Sequence, residues 1–149
     1  MAAAQTPLPL DTEALEAIRR LARRHGWELV VLFGSAARGA PDPRDLDIAV
    51  QPPPGRFPDL MTEAGWLSDL EDALPGWRVD LLVLTDATDP LTRYEALWKG
   101  RLLYERAPGL HDRELSRAFF LYADSAKFRR ARREALEAAA GARGEGSGP

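Results

Sequence analysis

The chain has 149 residues, the size of one ordinary domain and too few for a catalytic domain followed by a full second domain. Its 20 Lys and Arg residues against 23 Asp and Glu residues leave a net charge of -3, so binding to nucleic acid is not expected. Cysteine is absent and there are 2 histidines, which excludes disulfides, thiolate zinc sites and histidine cages, and leaves oxygen ligands that suit Mg²⁺, Mn²⁺ or Ca²⁺.

No segment has the length and apolar character of a membrane span, and the N-terminus lacks the basic and apolar regions of a signal peptide. We therefore expect a cytoplasmic protein with no membrane association.

The first third of the chain predicts a helix, a buried strand and a sharp turn. Asp11 is a good N-cap for a helix with apolar residues at helical spacing, and Gly26 closes that helix. The apolar run from Leu29 to Phe33 predicts a buried strand that ends in a turn into a helix at Gly34-Ser35. A second short strand is predicted over 46–50.

The middle of the chain continues this alternation of helices and strands. An amphipathic helix is predicted from Leu60 to Leu74, where Pro75-Gly76 ends it. A strand over 77–84, a shorter helix over 92–98 and an edge strand over 101–105 follow. The predicted order of elements is αβαβαβαβα.

The C-terminal third predicts one long helix over 110–140, roughly 45 Å in length. We expect its apolar face to dock on the domain as far as Ala126. Five of the residues over 127–133 are basic, and this segment is interpreted either as a solvated helix face or as a contact with a partner or RNA. Residues 107–140 are therefore expected to be a helical extension of a domain over 1–106, and the Gly-rich residues 141–149 a disordered tail.

Two carboxylates alternate with apolar residues in the second predicted strand. In a strand, Asp45 and Asp47 share one face about 6.6 Å apart, while the apolar residues between them face the core. Two such carboxylates repel each other unless a cation lies between them, and Mg²⁺ held together with substrate phosphates suits this arrangement. Ala49, next on the same face, is expected to leave room for a ligand.

A third carboxylate, Asp80, interrupts the apolar strand predicted over 77–84. A carboxylate among apolar neighbours costs free energy unless something compensates its charge, and a bound metal ion would do so. Asp45, Asp47 and Asp80 together predict a two-metal site on one face of the sheet.

The turn after the first strand predicts phosphate binding next to these carboxylates. Backbone N–H groups at Gly34-Ser35 are free to bind phosphate at the start of a helix, and Arg38 lies one turn further on as a charged partner.

This set of residues resembles the DNA polymerase β-like nucleotidyltransferase superfamily. The signature is Gly34-Ser35, then nine intervening residues, Asp45-x-Asp47, and later Asp80 between hydrophobic residues. The Ala-Arg-Gly after the Gly-Ser and the closing segment over 100–105 resemble most closely the minimal nucleotidyltransferases (MNT, MntA-like). The resemblance covers about residues 12–106.

The resemblance implies an α+β fold, a small mixed β-sheet flanked by helices, here with a long C-terminal helix added. It implies two Mg²⁺ ions and ATP or another nucleoside triphosphate as donor. Proteins of this family are often the antitoxin partners of small helical HEPN ribonuclease toxins, which they inactivate by adding AMP to a tyrosine. The expected partner is therefore a HEPN-type toxin, and a homo-oligomer through the C-terminal helix is an alternative.

The resemblance also implies a role for each matching residue. Asp45 and Asp47 would ligate both metal ions, and Asp80 would complete the catalytic metal site and help to deprotonate the attacking hydroxyl. The β and γ phosphates would be held by Gly34 and Ser35, with added charge from Arg38. The sequence departs from the family just before the first Asp, where Arg44 stands in place of a frequent Ser.

Other functions remain open at the level of sequence. The same scaffold can act as a non-catalytic antitoxin that occludes its toxin. Transfer to a small molecule such as an aminoglycoside would need an acceptor surface for which the chain has little spare length. Polymerisation on RNA or DNA is the function least supported by the size and charge.

Overall fold

The computed structural model describes residues 7–39 and 45–145. Its elements are α1 Thr12–His25, β1 Leu29–Phe33, α2 Gly34–Ala37, β2 Asp45–Gln51, α3 Leu60–Ala73, β3 Arg78–Val83, α4 Pro90–Lys99, β4 Arg101–Glu105 and α5 Leu110–Glu145. This order is the predicted one. Arg44 and its departure from the family pattern lie outside the described residues.

The four strands form one mixed sheet in the order β3-β2-β1-β4. Strand β1 pairs antiparallel with both β2 and β4, whereas β2 pairs parallel with β3. The parallel pair requires a crossover connection, which α3 supplies. The predicted mixed sheet is confirmed, and so is the edge position of β4.

Helices cover both faces of the sheet. Alternate residues of β1 and β2, such as Leu32 and Ile48, pack with α1 and α3 in one core. On the other face Val31 and Ala49 pack with α4 and α5 in a second core. Because β1 and β2 are covered on both sides, they are rich in apolar residues along almost their whole length.

Side-chain caps fix the starts of three helices. Asp11 accepts a 2.8 Å hydrogen bond from the backbone N–H of Ala14, and Asp59 accepts one of the same length from Thr62. Helix α4 begins at Pro90, earlier than the predicted start at residue 92. The reason is that Asp89 caps it and proline suits the first position of a helix.

The long helix α5 continues to Glu145, beyond its predicted end at residue 140. The predicted disordered tail over 141–149 therefore begins with helix, and its last residues, 146–149, lie outside the described part. Gly141 costs about 1 kcal/mol relative to Ala, and the run of alanines before it favours the helix, so one glycine does not end it.

Only the first half of α5 packs on the domain. Leu110 and Ala118 are buried, Ala126 is the last partly buried residue, and every position over 127–142 is exposed. The predicted docking limit at Ala126 is confirmed. None of the helices in the described ranges has a stretch apolar enough to cross a bilayer.

Truncation after Ala126 should leave the domain folded, because the removed residues that the structure describes bury almost no surface. We expect the midpoint of thermal unfolding to change by less than about 4 °C, the shift that roughly 1 kcal/mol causes in a domain of this size. Ala118→Arg is the control, since Ala118 is buried in the docked half. A truncated protein that unfolds, or that loses as much stability as Ala118→Arg, would contradict this division of α5.

Candidate active site

The structure brings two of the three predicted carboxylates side by side. Asp47 of β2 and Asp80 of β3 are register partners in the parallel pair, on strands about 4.8 Å apart. Their face of the sheet is the one covered further along by α4 and α5. Ala49 is buried under these helices and leaves no room for a ligand, contrary to the sequence prediction. The accessible end of this face therefore begins at Asp47.

The electrostatics of Asp47 reflect this crowding. Burial, and then the negative charges of Asp80 and Asp45, raise the pKa of the Asp47 carboxyl above its ordinary value. The site thus concentrates negative charge around Asp47. A divalent cation would relieve this repulsion.

Asp45 is turned toward the neighbouring strand. Its Oδ1 lies 3.5 Å from Nε of Arg78, its register partner on β3, yet this oxygen is buried and has no hydrogen-bond partner in the described part of the chain. Arg78 is largely exposed, so this ion pair is weak. Sequence reasoning missed Arg78. The sequence did contain a signal for it: Arg78 lies two residues before Asp80, so both side chains lie on one face of β3.

Gly34 brings the turn after β1 into contact with Asp47. Phe33 is the register partner of Asp47, and Gly34 follows it with φ +73°. A Cβ built on Gly34 would overlap Oδ2 of Asp47 and come within 3.0 Å of its Cγ. Glycine is therefore required here for the close approach as well as for the backbone angle.

The other two predicted phosphate-binding residues belong to the short helix α2 and the turn that follows it. Ser35 and Arg38 are exposed. Phe33, the residue at the N-cap position, offers no side-chain hydrogen bond, so the first N–H groups of α2 are free of a side-chain cap. These groups lie next to the carboxylates because Gly34 contacts Asp47.

The carboxylates of Asp45, Asp47 and Asp80 suit a hard divalent cation, both by their chemistry and because β2 and β3 place them on one face of the sheet. Carboxylate oxygens on neighbouring strands, one of them buried without a hydrogen-bond partner, are the ligands that Mg²⁺ prefers. Within the described ranges, however, no three acidic or histidine side chains already form a cage for a metal ion. The three-carboxylate, two-metal site stays a prediction.

The chain matches a known protein family. The model of the family "Polymerase beta, Nucleotidyltransferase" matches residues 16–108, which is more than half of the chain. No curated protein matches the chain at a significant level.

Comparison with solved structures supports the fold. A toxin-antitoxin crystal structure with AMP-PNP superposes with a TM-score of 0.68 at 21% identity, covering 83% of this chain and 98% of the other. A mutant of the toxin-antitoxin MntA-HpeT gives a TM-score of 0.67 at 19% identity, covering 83% and 98%. A protein from Shewanella oneidensis gives 0.64 at 15% identity, covering 85% and 99%. At these identities the likeness shows a shared fold.

Gly34→Ala should disturb the site more than the same change at Gly55. Both glycines have positive φ, at +73° and +78°, so each substitution costs about 1 kcal/mol in backbone conformation. Only Gly34 has Asp47 in the way, whereas a Cβ at Gly55 meets nothing within 4 Å. We expect Gly34→Ala to weaken Mg²⁺-nucleotide binding by about tenfold or more in titration calorimetry, with Gly55→Ala near wild type. Equal losses in both variants would contradict the close-approach argument.

Asp47→Asn should raise the stability of the metal-free protein at neutral pH. Because the pKa of Asp47 is raised on folding, this group favours the folded state fully only below its unfolded pKa of about 3.9, and that contribution is lost as the pH rises through the raised value. The advantage of Asp47→Asn in thermal unfolding with EDTA should therefore be largest near pH 7 and should shrink toward about pH 4.

Asp59→Asn is the control of opposite sign. The hydrogen bond from the backbone of Thr62 lowers the pKa of Asp59, so its charged form stabilises the folded state above the lowered value. Asp59→Asn should not raise the unfolding temperature at pH 7. A destabilised Asp47→Asn at pH 7 would show that Asp47 is a structural residue.

Proposed function

Because the chain belongs to the polymerase beta nucleotidyltransferase family, we propose that it transfers a nucleoside monophosphate, AMP in the first instance, from a nucleoside triphosphate to a hydroxyl of a partner protein. One observation carries this proposal: the Asp47-Asp80 pair lies in register, with the Gly34 turn packed against Asp47. Free N–H groups suited to phosphate and carboxylates suited to a metal ion thus meet at one end of the sheet.

Asp45, Asp47 and Asp80 would hold Mg²⁺, with Asp45 released from Arg78. When bound, Mg²⁺ supplies charge neutralisation on the triphosphate and lowers the pKa of the attacking hydroxyl. The backbone at Gly34 and Ser35 binds the β and γ phosphates, and Arg38 adds positive charge. Asp80 accepts the proton of the acceptor hydroxyl as the new oxygen-Pα bond forms. The bond from Pα to the β phosphate breaks, and pyrophosphate leaves. ATP as donor is supported by the relative crystallised with AMP-PNP.

The partner in this proposal is a toxin of the HEPN type, with a tyrosine as acceptor. Support comes from relatives of the same fold that are parts of toxin-antitoxin pairs. It also comes from the uncovered half of α5, which carries Phe128 at 77% and Leu136 at 62% exposure. Exposed helix of this kind is marginal in water, and the five basic groups over 127–133 repel one another unless an acidic surface or salt screens them.

A second function fits one observation. Since no three carboxylates or histidines in the described part already form a metal cage, a non-catalytic antitoxin that occludes its toxin with α5 is the alternative. Transfer to a small molecule such as an aminoglycoside is a further alternative, and no observation on the described residues favours it. The uncovered half of α5 could instead contact a second copy of this chain, which would form a homo-oligomer.

Incubation with the product of the neighbouring gene, Mg²⁺ and ATP labelled at the α phosphate separates these functions. We expect label on the partner protein and a loss of transfer of at least about a hundredfold in Asp47→Asn. Asp112→Asn, an exposed carboxylate at the start of α5, should keep wild-type transfer. A protein that silences the toxin without labelling it would be the non-catalytic antitoxin, and label in Asp47→Asn would contradict the proposed site.

Binding of the two proteins, measured at several salt concentrations, tests whether α5 is the partner contact. The chain truncated after Ala126 should still bind nucleotide, but its binding to the partner should weaken and lose its dependence on salt. If the truncated chain binds the partner unchanged, α5 is not the contact.

A further inference from the structure

A polar cavity lies at the end of the sheet opposite to the carboxylates. It has a volume of about 150 Å³ and lies where β2 and β3 end. Its lining includes the polar and charged residues Gln51, Asp86, Arg93, Glu114 and Arg117. Gln51 is four residues beyond Asp47 on β2, roughly 13 Å along the strand. The cavity is therefore separate from the candidate active site.

Arg93 brings a buried positive charge to this cavity. It is 5% exposed, and its guanidinium donates a hydrogen bond to the backbone carbonyl of Thr85. In the described part of the chain it forms no ion pair, and most of its five N–H donors are unused. Burial, and then the charge of Arg117, lower the pKa of Arg93, and the negative charges of Glu114 and Asp86 offset part of this. A buried cation that no carboxylate contacts directly costs free energy unless another charged or polar partner stabilises it.

The nearby carboxylates do not fill this need. Glu114 and Asp86 each lie 3.5 Å from a guanidinium nitrogen of Arg117 and are paired with it instead. Arg117 is half-exposed and lines the cavity together with Arg93 and the exposed Arg56. Guanidinium groups thus line a space that could hold an anion.

Gln51 adds an unmet acceptor to the same cavity. Its side chain is 8% exposed, and its Oε1 is buried with no hydrogen-bond partner among the described residues. A buried carbonyl oxygen without a donor costs about 1–3 kcal/mol. A ligand that fits this cavity therefore supplies a donor to Gln51 as well as acceptors to Arg93.

We propose that this cavity binds inorganic phosphate as hydrogen phosphate. Its oxygens accept hydrogen bonds from Arg93 and Arg117, and its remaining hydroxyl donates to Oε1 of Gln51. Sulfate has no such hydroxyl at neutral pH, and its oxygens would face the Gln51 carbonyl without a proton between them. The volume is about five times the 30 Å³ share of one water in the liquid, which is room for a tetrahedral oxyanion and some water.

The test is titration calorimetry of the metal-free full chain at about pH 7.5 and constant ionic strength. Phosphate should bind at least about fivefold more tightly than sulfate. Arg117→Gln should weaken phosphate binding by about tenfold, the loss of one charged hydrogen bond. The matched control Arg113→Gln, on the same helix but outside the cavity, should stay within about twofold of wild type. Because Arg93 is buried and its loss could unfold the chain, the half-exposed Arg117 is the variant used.

Three further arms decide the location and the chemistry. Gln51→Leu, checked for folding by thermal unfolding, should remove the preference for phosphate over sulfate. Methyl phosphate, a dianion at this pH without a P–OH group, should bind no better than sulfate. In an Arg38→Gln background, Arg117→Gln should weaken phosphate binding by the same factor, because Arg38 belongs to the other phosphate-binding turn. The proposal is overturned if Arg38→Gln abolishes phosphate binding while Arg117→Gln does not, or if phosphate binds no better than sulfate.

Discussion

The close contact between the turn after β1 and the carboxylate of Asp47 is the constraint on which the candidate active site depends. Gly34 leaves no space for a Cβ beside Oδ2 of Asp47, and Phe33 and Asp47 are paired in the antiparallel ladder. The parallel ladder then sets Asp80 beside Asp47. A slip of one residue in either ladder would turn a carboxylate into an apolar core. The two cores that flank the sheet therefore also hold the polar groups in register.

Much of this site could be predicted from the sequence because strand periodicity is local. Alternation places Asp45 and Asp47 on one face, and the Gly-Ser after an apolar run marks the turn. The order of helices and strands followed from caps, glycines and apolar spacing. The side-chain pairing between strands depends on long-range register, for which a short segment carries no signal. That is why the sequence did not predict the Arg78-Asp45 pair.

Burial also limited what the sequence could predict. Ala49 looked like free space on the carboxylate face, yet α4 and α5 cover it. Arg93 and Gln51 look like ordinary surface residues of a helix and a strand, and only the packing of α4 and α5 shows them to be buried. Helix α5 runs past its predicted end at residue 140 because the helix propensity of the alanines before Gly141 outweighs the effect of that one glycine. In each case a neighbour distant in sequence, or the summed propensity of a segment, outweighed one local residue.

The most direct test of the proposed active site is a crystal structure with Mn²⁺ and a non-hydrolysable nucleoside triphosphate, with Mn²⁺ located by anomalous scattering. The account predicts an anomalous peak about 2.1 Å from carboxylate oxygens of both Asp47 and Asp80, with Asp45 released from Arg78. It also predicts a phosphate oxygen on the backbone N–H groups at Gly34 and Ser35. Mn²⁺ bound elsewhere, or a triphosphate bound away from the Gly34 turn, would contradict it.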